Sequence, residues 1–130
     1  MENTLDIAID FDGTIVKHEF PKVGEPIPEC IDYLKQLNKL GARLILNTMR
    51  SGKGLEEAVN YLKENDVELF GINVNPDQTA WTCSPKVYGH IYVDDAALGA
   101  PLITPEVGKP YIDWSIAGPR LVKMAEDVKG

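Results

Sequence analysis

Apolar positions along the chain alternate between two spacings, one typical of buried strands and one typical of helices. Four short apolar runs predict strands, at Leu5 to Asp10, Ala42 to Thr48, Leu69 to Val74 and His90 to Asp94. A three-to-four spacing predicts helices from Pro28 to Gly41, along Leu55, Ala58, Val59 and Leu62, and from about Pro119 through Leu121, Met124, Ala125 and Val128. This alternation predicts an α/β fold of three layers, with a mostly parallel sheet and helices on both faces.

Two segments interrupt the alternation. They are 14–27, after the first strand, and 75–88, before the fourth. Loops beside the ends of strands are common places for binding residues, so we expect substrate specificity to reside there.

Length and composition favour an ordinary globular protein. The chain of 130 residues is 44% apolar and 25% charged, which fits a single domain over 1–130. Its formal charge of −7 disfavours nucleic acid as a partner. No apolar run would cross a membrane, and the acidic start lacks the pattern of a signal peptide, so we expect a cytoplasmic protein. Cys30 and Cys83 lie too far apart to suggest a zinc site or disulfide framework, and Cys30 is predicted to be in the core.

An acid pair follows the first predicted strand directly, as Asp10 and Asp12 before Gly13. An EF-hand calcium loop would need a glutamate at its twelfth position, where this chain has Pro21. A hairpin turn with solvated acids stays open on this segment alone, because Asp-Gly is common in such turns.

Polar residues also follow the second and fourth strands, as 47–50 and as Asp94 and Asp95, and Lys86 precedes the fourth. In a parallel sheet these ends lie at one edge. Two like charges 4 Å apart repel by about 4 kcal/mol at an effective dielectric of 20, so four converging aspartates would be costly without a cation. A divalent metal and Lys86 would offset that cost. The pattern therefore indicates a site that binds a divalent metal.

In this order, DFDGT at 10–14, Thr48, Lys86 and Asp94 with Asp95 resemble the four motifs of the haloacid-dehalogenase-like superfamily. The resemblance covers 5–99 and implies a Rossmann-like domain that hydrolyses phosphate monoesters. It makes Asp10 the nucleophile that takes the phosphoryl group. Asp12 would be the acid and base, which distinguishes phosphatases of this superfamily from its dehalogenases.

The same resemblance implies a ligand set and a phosphate cradle. Magnesium would be held by Asp10, the backbone carbonyl of Asp12, Asp94 and Asp95, with Asp95 acting through water or by orienting Lys86. The phosphoryl group would be bound by Thr48, Lys86, and the backbone amides of Phe11 and Met49.

Some nearby residues have two open interpretations. Arg50 would bind substrate phosphate or lie exposed at a helix entrance. Segment 14–27 would form a mobile β-hairpin flap, and it is open whether its Lys17, His18 and Lys22 contact substrate. Trp81 and Trp114 are predicted to pack or to form subunit contacts, since no basic residues interleave with them.

Superfamily cap domains enter between these motifs, but the predicted helices and strands fill both intervals. The resemblance therefore implies a capless enzyme with a phosphorylated substrate, for which a small molecule is favoured, and it suggests a homo-oligomer. Two rivals stay open: a phospho-accepting receiver-like signalling domain and a catalytically silent binding module of the same fold. Motif order disfavours the receiver, because Lys86 precedes the second acid pair.

Overall fold

A four-stranded parallel sheet forms the centre of the protein in a computed structural model that describes residues 4–129. Its strands are β1 (Asp6–Ile9), β2 (Arg43–Leu46), β3 (Gly71–Ile72) and β4 (Ile91–Val93), in the spatial order β3-β2-β1-β4. All three pairings are parallel, with Ile9 opposite Leu46 on one side and Val93 on the other. The four predicted strands are confirmed, although each is shorter than its apolar run. Residues 1–3, part of the segment from which a cytoplasmic location is predicted, lie outside the description.

Three helices accompany the sheet: α1 (Cys30–Lys39), α2 (Gly52–Glu64) and α3 (Trp114–Lys129). The predicted stop of α1 is confirmed at Gly41, whose φ of +86° suits glycine better than any residue with a Cβ. None of the helices within 4–129 is both long and apolar enough to cross a membrane.

The main core lies on one face of the sheet and takes buried residues from all three helices. Ile7 and Ile9 of β1 point into it, as does Cys30, and each is fully buried. Helices α1 and α3 also pack closely on each other, with the Tyr33 and Trp114 rings stacked at 6.4 Å between centroids. A Cβ on Gly118 would lie 2.4 Å from the Tyr33 ring, so glycine is required for this approach.

The other face of the sheet is covered differently from the prediction of helices on both faces. Ala8 and Ile45 point to this face, where they pack with Val87 and Phe70 in a separate small cluster. The connection from β3 to β4 contains a 3₁₀ helix of only three residues, Gln78–Ala80, in place of a full helix. The cause is local, because segment 75–88 has no helical apolar spacing and contains Pro76 and Pro85. Within 4–129 the protein is therefore an α/β fold whose second face is covered by an irregular segment.

The C-terminal part differs from the prediction in two respects. A short antiparallel hairpin, β5 (Leu102–Ile103) and β6 (Tyr111–Ile112), precedes α3 and was not predicted. Helix α3 begins at Trp114, so the predicted start at about Pro119 is wrong, and Pro119 lies inside the helix. The helix begins earlier because the Asp113 carboxylate accepts hydrogen bonds from the Ser115 N–H at 3.0 Å and the Ser115 hydroxyl at 2.6 Å.

Segment 14–27 folds back over the carboxyl end of β1. Val16 forms isolated bridges with Asp12 and Pro26, and the Lys17 N–H donates to the Glu25 carbonyl at 2.8 Å. These contacts close the loop upon itself and hold it beside the acid pair.

Candidate active site

Three carboxylates meet at the carboxyl end of the sheet. Asp10 follows β1, and Asp94 and Asp95 follow the neighbouring β4, to which the Asp10 N–H is tied by a 2.9 Å bond to the Val93 carbonyl. One oxygen from each of the three carboxylates lies within 4.8 Å of the other two. The parallel pairing of two strands distant in sequence thus brings together three of the four predicted acids.

The Asp10 carboxyl has a strongly raised pKa in this setting. Burial raises the pKa of the Asp10 carboxyl to about 8, with further contributions from the charge of Asp94 and from hydrogen bonding to Asp95. A hydrogen bond with the Phe11 backbone opposes this rise only in part. The cluster therefore favours a bound proton or a bound cation at neutral pH.

The Thr14 hydroxyl links two of these acids. The side chain is fully buried, and its Oγ1 lies 3.3 Å from Asp10 Oδ2 and 3.4 Å from Asp95 Oδ1. It also accepts the Asp95 N–H at 3.1 Å. The Thr14 carbonyl in turn accepts the Trp114 indole N–H at 2.6 Å, so the predicted packing role of Trp114 includes fixing this turn. Thr14 was not predicted as a site residue, although it is in the same five-residue motif as Asp10.

His18, in segment 14–27, contacts the same cluster. Its Nε2 lies 2.9 Å from Asp95 Oδ2, so one of the loop residues whose role was open contacts a predicted metal ligand. Gly13 makes this possible: its φ is +83°, and a Cβ there would lie 2.2 Å from His18 Nε2 and 2.5 Å from Asp95 Oδ2. No sequence signal separated His18 from an ordinary surface histidine.

The Asp12 carboxylate is held apart from the three others. Arg50 donates to both of its oxygens, from Nε and from Nη2, at 2.8 Å each. The Arg50 side chain is buried, which excludes the predicted alternative of an exposed arginine at a helix entrance. The bond to Asp12 raises the pKa of Arg50 above its usual value, against the effect of burial.

Thr48 and Met49 follow β2 at the same edge. Asn73, which was not predicted, accepts the Thr48 N–H at 2.8 Å, and the Thr48 hydroxyl accepts the Arg50 N–H at 3.2 Å. The Met49 side chain is 98% exposed. Asn73 has a φ of +55°, a backbone conformation that asparagine tolerates better than most residues. No motif in the sequence marks Asn73 as a site residue.

Lys86, like Asp12, lies outside the cluster of three carboxylates. Its Nζ lies 5.5 Å from the centroid of the Tyr92 ring, and its side chain is exposed. Among residues 4–129 no ion pair joins it to an acid. Trp81 is 65% exposed, and its ring contacts the Tyr88 ring edge to face, at 5.7 Å between centroids. Its predicted role in subunit contacts stays a prediction.

Comparison with known proteins gives one informative match. No protein-family model matches the chain, and no curated protein does. Among solved structures, a conserved protein coded by a locus from Bacteroides thetaiotaomicron is 33% identical, with a TM-score of 0.76. The match covers 93% of this chain and 92% of that chain, so the two share a fold over nearly their whole lengths. The name of that protein states no activity.

Proposed function

The chain belongs to the same family as the conserved Bacteroides thetaiotaomicron protein, and from its own site we propose that it is a Mg²⁺-dependent phosphatase. It would hydrolyse phosphate monoesters through an aspartyl phosphate on Asp10, as a capless member of the haloacid-dehalogenase-like superfamily. Segment 14–27 would be its flap. The substrate class is a phosphorylated compound, with a small molecule favoured.

The observation that carries this proposal is the convergence of Asp10, Asp94 and Asp95 within 4.8 Å. Acid clusters are common without a metal, but this one also has a half-buried nucleophile candidate, Asp10, and a second acid, Asp12, two residues on. The motif order supports the same reaction.

The donor set fits magnesium. The three carboxylate oxygens are hard ligands of the kind that Mg²⁺ prefers, and Mg²⁺ commonly completes its coordination with waters and a substrate phosphate. Asp10, Asp94 and Asp95 would hold the ion, with the Asp12 carbonyl as a further ligand. When bound, the ion would neutralise the carboxylates and polarise the phosphoryl group.

Two steps would use the acid pair. An Asp10 carboxylate oxygen attacks phosphorus while the bond to the leaving oxygen breaks, and that oxygen receives a proton through Asp12. A water then attacks the phosphoryl group, Asp12 takes a water proton, and the bond from phosphorus to Asp10 breaks. Inorganic phosphate leaves and the Asp10 carboxylate is regenerated. Splitting a very slow hydrolysis into two steps in this way is the gain of covalent catalysis.

The phosphoryl group would be bound by neighbouring donors. The Thr48 hydroxyl accepts one hydrogen bond from Arg50 and keeps its own proton to donate. The Phe11 and Met49 amides would contribute as in an oxyanion hole, and Lys86 would swing from Tyr92 towards the phosphate.

The test is release of phosphate from an aryl phosphate and from a panel of alkyl phosphates, with Mg²⁺ and with chelator. We expect Mg²⁺-dependent turnover in the wild type. Asp10→Asn should abolish turnover, and Asp12→Asn should lower kcat by about 10²- to 10⁴-fold. Asp127→Asn makes the same chemical change at an exposed surface position and should leave turnover intact.

The alternatives give different results. Turnover that is equal in wild type and Asp10→Asn would contradict the aspartyl-phosphate mechanism. A wild type that is inert over the whole panel but binds phosphate compounds would favour the silent binding module.

A further inference from the structure

Arg50 lies at the junction between the acid pair and the loop, with only 3% of its surface exposed. A guanidinium has five N–H groups, and here all five are used. Two donate to the carboxylate of Asp12, at 2.8 Å each. The other three donate to the backbone carbonyls of Pro21 at 3.1 Å, Gly54 at 3.2 Å and Lys22 at 2.7 Å. In this arrangement Arg50 has no donor to offer to a substrate phosphate.

Two aromatic rings complete the surroundings of this guanidinium. Its central carbon lies 5.2 Å from the centroid of the buried Phe11 ring and 5.1 Å from that of Phe20. Phe20 belongs to the loop and is itself 66% exposed, so it contacts Arg50 from the solvent side. Desolvation strengthens both the cation–π contacts and the charge-assisted hydrogen bonds of the guanidinium.

We propose that Arg50 is a positioning residue that fixes the Asp12 carboxylate and ties it to the loop through the Pro21 and Lys22 carbonyls. This inference rests on the proposed function, because Asp12 must lie correctly to move a proton. A bidentate pair fixes both the place and the plane of a carboxylate, which a single contact does not. Loop position and Asp12 position are thereby coupled through one side chain.

Arg50→Lys tests this role, because it keeps the positive charge and loses the planar fork. Arg43→Lys is a matched control: Arg43 forms a similar pair with Asp6, at 2.8 and 3.0 Å, at the opposite edge of the same sheet. Any general effect of breaking a bidentate pair should appear in both variants. Only Arg50→Lys should alter the steps that depend on Asp12.

Pre-steady-state kinetics on an aryl phosphate give a readout that loss of stability would not produce. An aryl leaving group needs little protonation, so phosphorylation of Asp10 should stay fast in Arg50→Lys while hydrolysis slows, and a burst of phenolate should be seen. Hydrolysis of the aspartyl phosphate needs Asp12, so we expect steady-state kcat to fall at least about tenfold in Arg50→Lys, which is a smaller loss than in Asp12→Asn. In the Asp12→Asn background, Arg50→Lys should lower kcat little further, because both substitutions impair the same proton transfer by Asp12.

The loop gives a second readout that needs no turnover. Without the bonds to its carbonyls, the loop should open more often, so trypsin should cut after Lys22 faster in Arg50→Lys than in Arg43→Lys. If Arg50→Lys does not fold, Phe20→Ala at the exposed ring should also speed this cleavage and lower steady-state kcat.

The outcomes separate the two proposals. An inert wild type would overturn the proposed function, and this inference with it. An active wild type in which Arg50→Lys matches Arg43→Lys, with the same kcat and the same rate of cleavage after Lys22, would overturn this inference alone. An Arg50→Lys variant with a raised KM and an unchanged kcat would also overturn it, because that result would indicate binding of substrate by Arg50.

Discussion

At the scale of single residues, the Thr14 hydroxyl holds two carboxylates of the site in place. It contacts both Asp10 and Asp95 and accepts the Asp95 N–H. Thr14→Val keeps the shape and leaves that N–H and two carboxylates without this partner, at a cost of about 1–3 kcal/mol in the free energy of unfolding. Urea denaturation of the metal-free protein would measure it.

Thr14→Ser is the matched control, since it keeps the hydroxyl and loses only the methyl group. We expect Thr14→Ser to bind Mg²⁺ much as the wild type does, and Thr14→Val to bind it more weakly because Asp10 and Asp95 are less well held. A Thr14→Val variant that matches the wild type in stability and in Mg²⁺ affinity would contradict this role of the hydroxyl, and a loss confined to Thr14→Ser would show that the methyl group matters instead.

At the scale of elements, the start of α3 depends on Asp113. Its carboxylate accepts the Ser115 N–H, and its carbonyl accepts the Ala117 N–H at 3.0 Å, which makes it the N-cap of the helix. Asp113→Ala should therefore lower the free energy of unfolding by about 1 kcal/mol, measured by urea denaturation. Asp113→Asn keeps a capping oxygen and should lose much less. A loss of the same size in both variants would mean that charge, not capping, stabilises the helix start.

The same helix shows what can be predicted from sequence and what cannot. Strands and the first two helices follow from local apolar spacing, which is visible in the sequence. Pro119 favours a helix start because proline is common at the first helical position, but the Asp113 cap begins the helix at the buried Trp114, five residues earlier. The meeting of Asp10 with Asp94 could be predicted because strand ends share an edge. The Asp12–Arg50 pair and the His18 contact could not, because they depend on how an irregular loop folds back.

At the scale of the whole molecule, the two ends of the parallel strands differ in how their buried acids are balanced by charge. At the start of the strands, burial of Asp6 is outweighed by hydrogen bonds from Arg43 and Asn75, and its pKa is lowered. At the other edge, three acids meet and the pKa of Asp10 is raised. The Asp6 carboxylate is balanced by partners within the protein, whereas the three acids at the edge with Asp10 favour a bound proton or a bound cation.

This asymmetry predicts how stability depends on pH in the metal-free protein. The pKa of Asp10 is about 8 in the folded state and near its ordinary value of 3.8 when unfolded, so between these values the folded state holds the extra proton. Stability from this group is therefore present at about pH 4 and is lost as the pH rises towards 8. Urea midpoints measured with chelator should fall over this range, and Asp10→Asn should flatten the dependence. Mg²⁺ should restore stability most at the upper end, where Asp10 is ionised. If Asp10→Asn keeps the full slope, other groups cause it, and the acid cluster does not require a cation.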